Sequence, residues 1–353
     1  MKKFIVLLAA ATMVFASCSL DKEIQTNNGI AINFTSEVGT KATASVTTAN
    51  MTYFYSTALD KDGGKYFVNQ LFEKQTTGAY TSNPEYYWPG DGSILKFFCY
   101  STSGDKNNMC VPTPDFISGS YVMKNVEPNK DDVSKQVDFI YGYTQGTKEN
   151  ETTGLSVQMR HGFTQVNLKA KNTNAGYIYT ITGVKIANIT SKGDFTFPTA
   201  ADIRGTWAPA SDSKTDYTIT YTAAPVTLTE TPKDLMGENG NFVVIPQQLN
   251  PWLPLTDQAN TNNGAYLAVE IDLKTVAGAQ VYKGWASAMI GEKWEEGKVY
   301  SYILDFSKGA GRVDPKTPGT PGNPGEEILG GPIEFNVIEI DEWTNVGSSN
   351  IDM

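Results

Sequence analysis

The sequence of 353 residues predicts an all-β protein: two sequential β-sandwiches with a tethered strand at the C-terminal end. Three observations carry that expectation. Apolar and polar residues alternate in short runs along almost the whole chain, the period of a half-buried strand. Clusters of Gly, Pro, Asn and Asp punctuate the runs, and no amphipathic helical pattern extends beyond about three turns. The length fits two domains better than one.

The runs justify themselves in order. "GIAINFTSEV" at 29–38 places Ile30, Ile32 and Phe34 on one face of a first strand. "MTYFYSTAL" and "KYFVNQLFE" flank "DKDGG" at 60–64, a hairpin signal. "ILKFFCYS" follows the turn "PGDG", and "VDFIYGYT" and "GLSVQMRHGFTQVNLKAK" complete the first half. "YIYTITGVKIANIT", "YTITYTAAPVTLT", "NFVVIPQQL", "AYLAVEIDLKTV", "QVYKGWASAMI" and "KVYSYILDFS" supply the second. Polar turn residues cluster near Asn172–Gly176, which marks the boundary between the two sandwiches. From Val313 to Gly331 proline returns at 315, 318, 321 and 324, a composition that stays extended or disordered. At about 3.1 Å per residue such a tether reaches roughly 60 Å. "GPIEFNVIEI" then reads as a final strand, with Ile333, Phe335, Val337 and Ile340 as its apolar positions.

Composition narrows the function. Hydrophobic residues at 40% are enough for real cores, and the net charge of −10 argues against nucleic acid as a partner. Lys2 and Lys3 are the only charges in the first 17 residues, so without them the balance is −12. The single histidine, His161, excludes His–His metal sites. It sits in "MRHGFTQV" with no nucleophile motif beside it, and a structural role is the expectation. "DKDGG" begins like a calcium loop but lacks the later ligands, so a turn is expected there. Tyr86, Tyr87 and Trp88 offer a sugar-stacking platform or core packing, with packing favoured. No phosphate-binding glycine loop and no catalytic residues are found, and neither metal nor cofactor is expected.

The start of the chain reads as an export signal. Lys2 and Lys3 precede an apolar run from Phe4 to Phe15, too short to span a bilayer as a helix. The run ends in "FASC", which resembles the bacterial lipobox and makes Cys18 the lipidated residue, with residues 1–17 removed. Cys99 and Cys110 remain; an exported protein allows them to pair, and two free buried thiols are equally open.

The two ends share a pattern. Ile32 and Phe34 match Ile333 and Phe335 in spacing, so both strands fit one kind of groove, since alternate side chains set strand specificity. Between the first strand and the body lies "VGTKATASV", where Lys41 is a natural site for a trypsin-like protease. Cutting there would free the groove of its covalent occupant.

Six segments in this order and spacing resemble the fimbrillin family of Bacteroidales, the type V pilin subunits: 86–101, 137–144, 156–171, 181–197, 242–249 and 294–307. "TKA" at 40–42 stands where that family often has Thr-Arg-Ala, and Lys in place of Arg puts an Arg-specific enzyme in question. The resemblance implies two transthyretin-like β-sandwiches, lipoprotein export and proteolytic removal of the N-terminal strand. It also implies polymerisation by a donor strand from a neighbour's C-terminal tail. Asp21 and Glu23 resemble the acidic tag of surface-exported lipoproteins. The expected organisation is a signal peptide at 1–17, a propeptide with the N-terminal strand at 18–41, and sandwiches at 42–172 and 173–312. A Pro/Gly linker at 313–331 and a donor segment at 332–353 follow. Expected partners are other fimbrial subunits, the outer membrane through lipid before processing, and a host or glycan ligand. The expected location is the cell surface. The alternative is a monomeric surface lipoprotein or tip adhesin, with the last strand docked in its own sheet.

Overall fold

The alternating runs become strands in a computed structural model that describes residues 29–38, 51–106, 112, 114, 116, 120–221, 225–237, 240–331 and 333–342. The first half contributes β1 (Phe34–Val38), β2 (Tyr53–Leu59), β3 (Lys65–Lys74), β4 (Tyr80–Ser82), β5 (Leu95–Thr102), β6 (Val122–Val126), β7 (Phe139–Gly146) and β8 (Leu155–His161). Seven of these close a hydrogen-bonded circuit, β1-β4-β3-β2-β5-β7-β8, with β8 returning to β1. Closure removes the open strand edges that invite aggregation. "DKDGG" forms the β2–β3 turn: Asp60 Oδ1 accepts from the amides of Asp62 and Gly64, and Gly63 takes φ +85°. Among the described residues no acidic, Cys or His cluster is arranged to hold a metal ion. Trp88 is 2% exposed inside the barrel and packs on Phe97, while Tyr86 and Tyr87 are half-buried.

The second half contributes β9 (Thr164–Lys171), β10 (Tyr177–Thr190), β11 (Gly193–Thr196), β12 (Thr206–Pro209), β13 (Lys214–Thr220), β14 (Val226–Thr227), β15 (Lys233–Asp234) and β16 (Phe242–Val244). It continues with β17 (Gln247–Gln248), β18 (Tyr266–Thr275), β19 (Gln280–Met289), β20 (Lys293–Trp294), β21 (Lys298–Asp305), β22 (Arg312–Val313) and β23 (Glu334–Glu342). One sheet runs β13-β10-β18-β19-β22, and a second runs β15-β9-β21-β23. Their inner residues, among them Leu168, Ile186, Val269 and Tyr302, meet in one core. β9 lies beside β21 in parallel and is buried at nearly every position, as a strand covered on both faces must be.

The boundary expected at residue 172 falls one strand too late. The chain leaves the barrel at His161, and β9 is already part of the second unit. Alternation runs on from Leu155 to Lys171 with one change of phase, from odd positions up to Phe163 to even ones from Val166, and that slip and Gly162 are the only marks of the change of sheet. A Cβ at Gly162 would stand 2.5 Å from the Phe139 ring, so glycine alone fits. The two units share an aromatic seam in which the Tyr141 and Phe195 rings lie 4.6 Å apart and Phe139 and Phe195 5.2 Å. His161 is buried at this seam with Nδ1 2.9 Å from Asp138 Oδ2, a structural pair.

The segment expected to be a free tether is instead a packed strap. β22 pairs with β19, and Thr320 exchanges two backbone hydrogen bonds of 2.9 Å with Lys283. The Val313 amide donates to Glu326 O and the Ile328 amide to Gly311 O, folding the strap back on itself. Val313 and Ile328 are buried in the core of the unit. Proline excludes regular strand here, but it does not exclude a chain of turns whose polar groups find partners elsewhere. Those partners are distant in sequence and therefore invisible to composition.

Candidate functional site: the two terminal strands

β1 completes the barrel. It runs parallel to β8 from Phe34 opposite Leu155 to Val38 opposite Met159, and touches β4 at Phe34 opposite Tyr80. Its approach is already bonded: the Ile32 amide donates to Tyr86 O at 2.7 Å, and the Leu155 amide to Asn33 O at 3.0 Å. Ile32 and Phe34 are 1% and 0% exposed. The Phe34 ring meets Phe54, Phe72 and Phe97 edge-on, with centroids 5.3, 4.9 and 5.2 Å away. Edge-to-face pairs add about 0.5–1.5 kcal/mol beyond area burial. Tyr80 closes the floor, its hydroxyl donating to Met51 O at 2.8 Å and its pKa pushed up to about 12 by burial. β1 is thus the plug of an aromatic socket built from β2, β3, β4, β5 and β8.

Ile30 does not share that face. It is 50% exposed, and its amide reaches the carboxylate of Glu151 at 2.9 Å. The alternation that begins at Ile30 precedes the ladder, because the chain enters the barrel only at Ile32.

β23 occupies a different position. Among the described residues it is an edge strand of the second unit, held by β21 alone in an antiparallel ladder from Asp305 opposite Glu334 to Lys298 opposite Glu342. A bulge interrupts the register between Tyr302 and Leu304. Phe335 therefore lies opposite Leu304, Ile338 opposite Tyr302 and Ile340 opposite Tyr300. Leu304, Tyr302 and Tyr300 are all buried. Of the four apolar positions expected, Phe335 and Ile340 fall in this register and Val337 falls in the bulge, while Ile338 takes the place expected of Val337. A strict two-residue period does not foresee an inserted residue. Ile333 is 4% exposed and joins the core of the unit just before the strand.

A buried ion pair holds the strap that leads to β23. Lys185 Nζ on β10 lies 2.8 Å from Asp314 Oδ2, with the two side chains 6% and 0% exposed. Ser287 Oγ donates to the same oxygen at 3.0 Å, and the amides of Lys316 and Thr317 donate to Asp314 Oδ1 at 2.9 and 2.8 Å. The Lys185 ammonium also stands over the Trp285 ring, 4.7 Å from its centroid. A buried pair is tolerated only when its remaining valences are satisfied in this way. Nothing in the local sequence of either residue marked it.

A profile described as fimbrillin-like matches residues 16–320. The chain belongs to the fimbrillin-like family. Members of that family are structural fimbrial proteins and not enzymes, which agrees with the expected lack of catalytic residues. No curated protein matches the sequence. Among solved structures, a fimbrial protein from Bacteroides vulgatus ATCC 8482 shares 13% identity at a TM-score of 0.60, covering 88% of this chain and 99% of its own. A candidate cell adhesion protein from Parabacteroides distasonis ATCC 8503 shares 9% identity at a TM-score of 0.50, covering 90% and 98%. At such identities the likeness is one of fold.

Three residues expected to matter in this fimbrillin-like chain, Cys18, Lys41 and Cys110, lie outside the described residues. Cys99 is a free thiol on β5, fully buried, with Sγ 3.4 Å from Ser56 Oγ. Burial pushes its pKa up to about 12, which makes it inert at neutral pH.

Proposed function

We propose that this fimbrillin-like protein is a subunit of a bacterial surface fimbria that polymerises by exchanging its first strand for the last strand of a neighbour. It is exported as a lipoprotein on Cys18, and a trypsin-like cut after Lys41 releases β1 from the body. The observation that carries this reading is the plug-like seat of β1. Ile32 and Phe34 fill a socket whose other walls are complete without them, and the tail carries the same Ile-x-Phe spacing at Ile333 and Phe335. Because that spacing runs in the same chain direction in both strands, an incoming strand would lie parallel to β8, with Phe335 among Phe54, Phe72 and Phe97. Each anchor gains about 1.5–3 kcal/mol on burial, and an empty socket is worse than either occupied state.

Protein cut after Lys41 is expected to form ladders that resist SDS and dissolve on heating, and deletion of residues 332–353 should abolish them. Ladders that survive the deletion would overturn the donor role. Palmitate labelling should disappear in Cys18→Ala.

A second reading is a monomeric surface lipoprotein or tip adhesin that binds a glycan or host protein. The pairing of β23 with its own β21 favours it. In that case a charge at Phe335 would destabilise the uncut monomer and leave nothing to polymerise.

A further inference from the structure

We infer that the next subunit docks against the loop of residues 251–257 together with Met289, a face that borders the root of β23. This rests on the strand-exchange reading above. Two features carry it: the arm that bears β23 is short, and the surface beside its root is apolar, exposed and rigid.

The arm is short because the strap is tied down along its length. The Lys185–Asp314 pair, the Lys283–Thr320 exchange and the folding of Gly311 and Val313 against Ile328 and Glu326 hold residues 311–328 to the sheet. The last tie is the Gly311 amide donating to Gly331 O at 3.2 Å. Just before it, Leu329 and Gly330 take left-handed backbone, φ 57° and 68°, and a Cβ on Gly330 would touch nothing. Consecutive residues of this kind are where a chain changes direction. Ile333 comes two residues after Gly331, a span of roughly 7 Å when extended. A donor strand with so little chain ahead of it does not travel to a distant socket. The accepting subunit has to bring its socket to the root of the arm and press its surface on what surrounds that root.

What surrounds it is a preorganised apolar face. Leu253, Leu255 and Met289 are 48%, 82% and 43% exposed. The loop does not owe this exposure to slackness. Trp252 is fully buried against Tyr266, its Nε1 donates to Asp257 O at 2.9 Å, and the amides of Thr256 and Asp257 donate to Leu253 O. A cavity of about 150 Å³ opens between this loop and β19, lined by Trp252, Pro254, Met289, Arg312 and Ile333 among others. Ile333 is the first anchor of the tail and also a wall of this cavity. Withdrawal of the arm would therefore uncover apolar surface next to side chains that are already exposed. Exposed apolar side chains on a loop held in a fixed shape mark an association site, and the molecule brought there by the arm is a second copy of this chain.

The test uses the full-length subunit cut after Lys41, with assembly followed by light scattering and by SDS ladders. The double variant Leu253→Glu/Leu255→Glu should assemble at least about tenfold more weakly, the scale of one lost apolar contact, while melting like the parent. Where the double variant melts early, Leu255→Ser alone serves, since that side chain is mostly in water. Assembly unchanged in these variants would overturn the inference. A disulfide between Arg312→Cys and Glu327→Cys, which face each other across the strap, should leave assembly intact. Assembly blocked by that staple and restored by reduction would show a longer arm and also overturn it. Phe335→Asp separates the two claims. Ladders that survive this change sink strand exchange itself, whereas ladders lost here but intact in the loop variants sink only the docking face.

Discussion

β1 and β23 share an Ile-x-Phe spacing, yet the fold holds them in opposite ways. β1 has neighbours on both sides, β8 and β4, and drives Phe34 into the centre of an aromatic cluster. Among the described residues β23 has a neighbour on one side only and ends a sheet. A strand that plugs a closed circuit is hard to lose, because its departure opens the core as well as a ladder. An edge strand leaves at the cost of one ladder and the surface beneath it. Under the strand exchange proposed above, the acceptor needs the deep socket and the donor the shallow seat. The covalent chain supports that difference: Lys41 lies directly after the deep strand, and a clamped strap lies before the shallow one.

The largest expected effect tests that asymmetry directly. Phe34→Ala should destabilise the uncut subunit by about 3–5 kcal/mol, the usual cost of emptying a large aromatic site. Phe335→Ala, the matching change on the edge strand, should leave a folded protein with a clearly smaller loss. Chemical denaturation of both compares them, and equal losses would break the contrast between plug and edge.

The clamp comes next. Asp314→Ala leaves Lys185 charged and buried without its partner and should cost about 3–5 kcal/mol, while Lys185→Met/Asp314→Leu should recover most of that loss. A mild effect of Asp314→Ala would mean that the strap is held by Val313 and Ile328 and not by the ion pair. Amide hydrogen exchange gives a second measure: residues 312–328 should be slow in both monomer and polymer, and only β23 should change.

Below these lies the register of the tail. Ile338→Asp should cost about 1–3 kcal/mol in the uncut subunit, since Ile338 pairs with buried Tyr302, and Val337→Asp, in the bulge, about half of that or less. The reverse order would mean a strand without the bulge, with Val337 in the place that strict alternation assigns to it.

What the sequence disclosed and what it withheld follow the same physics. Periodicity of two is local, so the all-β class, the hairpin at Asp60–Gly64 and the burial of Ile32 and Phe34 were all legible. The repeated Ile-x-Phe at the two ends was legible for the same reason. Pairing between distant segments was not. β9 joins β21 across more than a hundred residues of chain, and only Gly162 and Phe163 separate it from β8 in the sequence. The strap was misjudged because prolines advertise the lack of regular structure, whereas Asp314 finds Lys185 through the tertiary fold. The bulge at Val337 on β23 was not legible, because an inserted residue breaks a period and leaves no compositional trace.

The smallest effect concerns the seam between the unit that holds the plug and the unit that holds the edge strand. Glu296, 9% exposed, accepts from the Tyr141 hydroxyl at 2.7 Å and pairs with Arg204 at 3.2 Å, while its Oε2 is buried with no hydrogen-bond partner among the described residues. Burial raises its pKa above the ordinary carboxylate value, and the bonds from Tyr141 and Arg204 only partly offset this. The sign then follows from linkage: between the unfolded and the raised folded pKa the native state binds the proton that the unfolded chain has released. This contribution to stability is fully present below the unfolded pKa and is lost as pH rises through the folded one. Glu296→Gln keeps an acceptor for Tyr141 and removes the titration. Across about pH 4 to 7 the melting temperature of the parent should therefore fall relative to that of the variant, by the equivalent of about 1 kcal/mol or less. Parallel profiles would place the pH response of the molecule elsewhere, and the seam would then hold the socket and the edge strand together independently of acid.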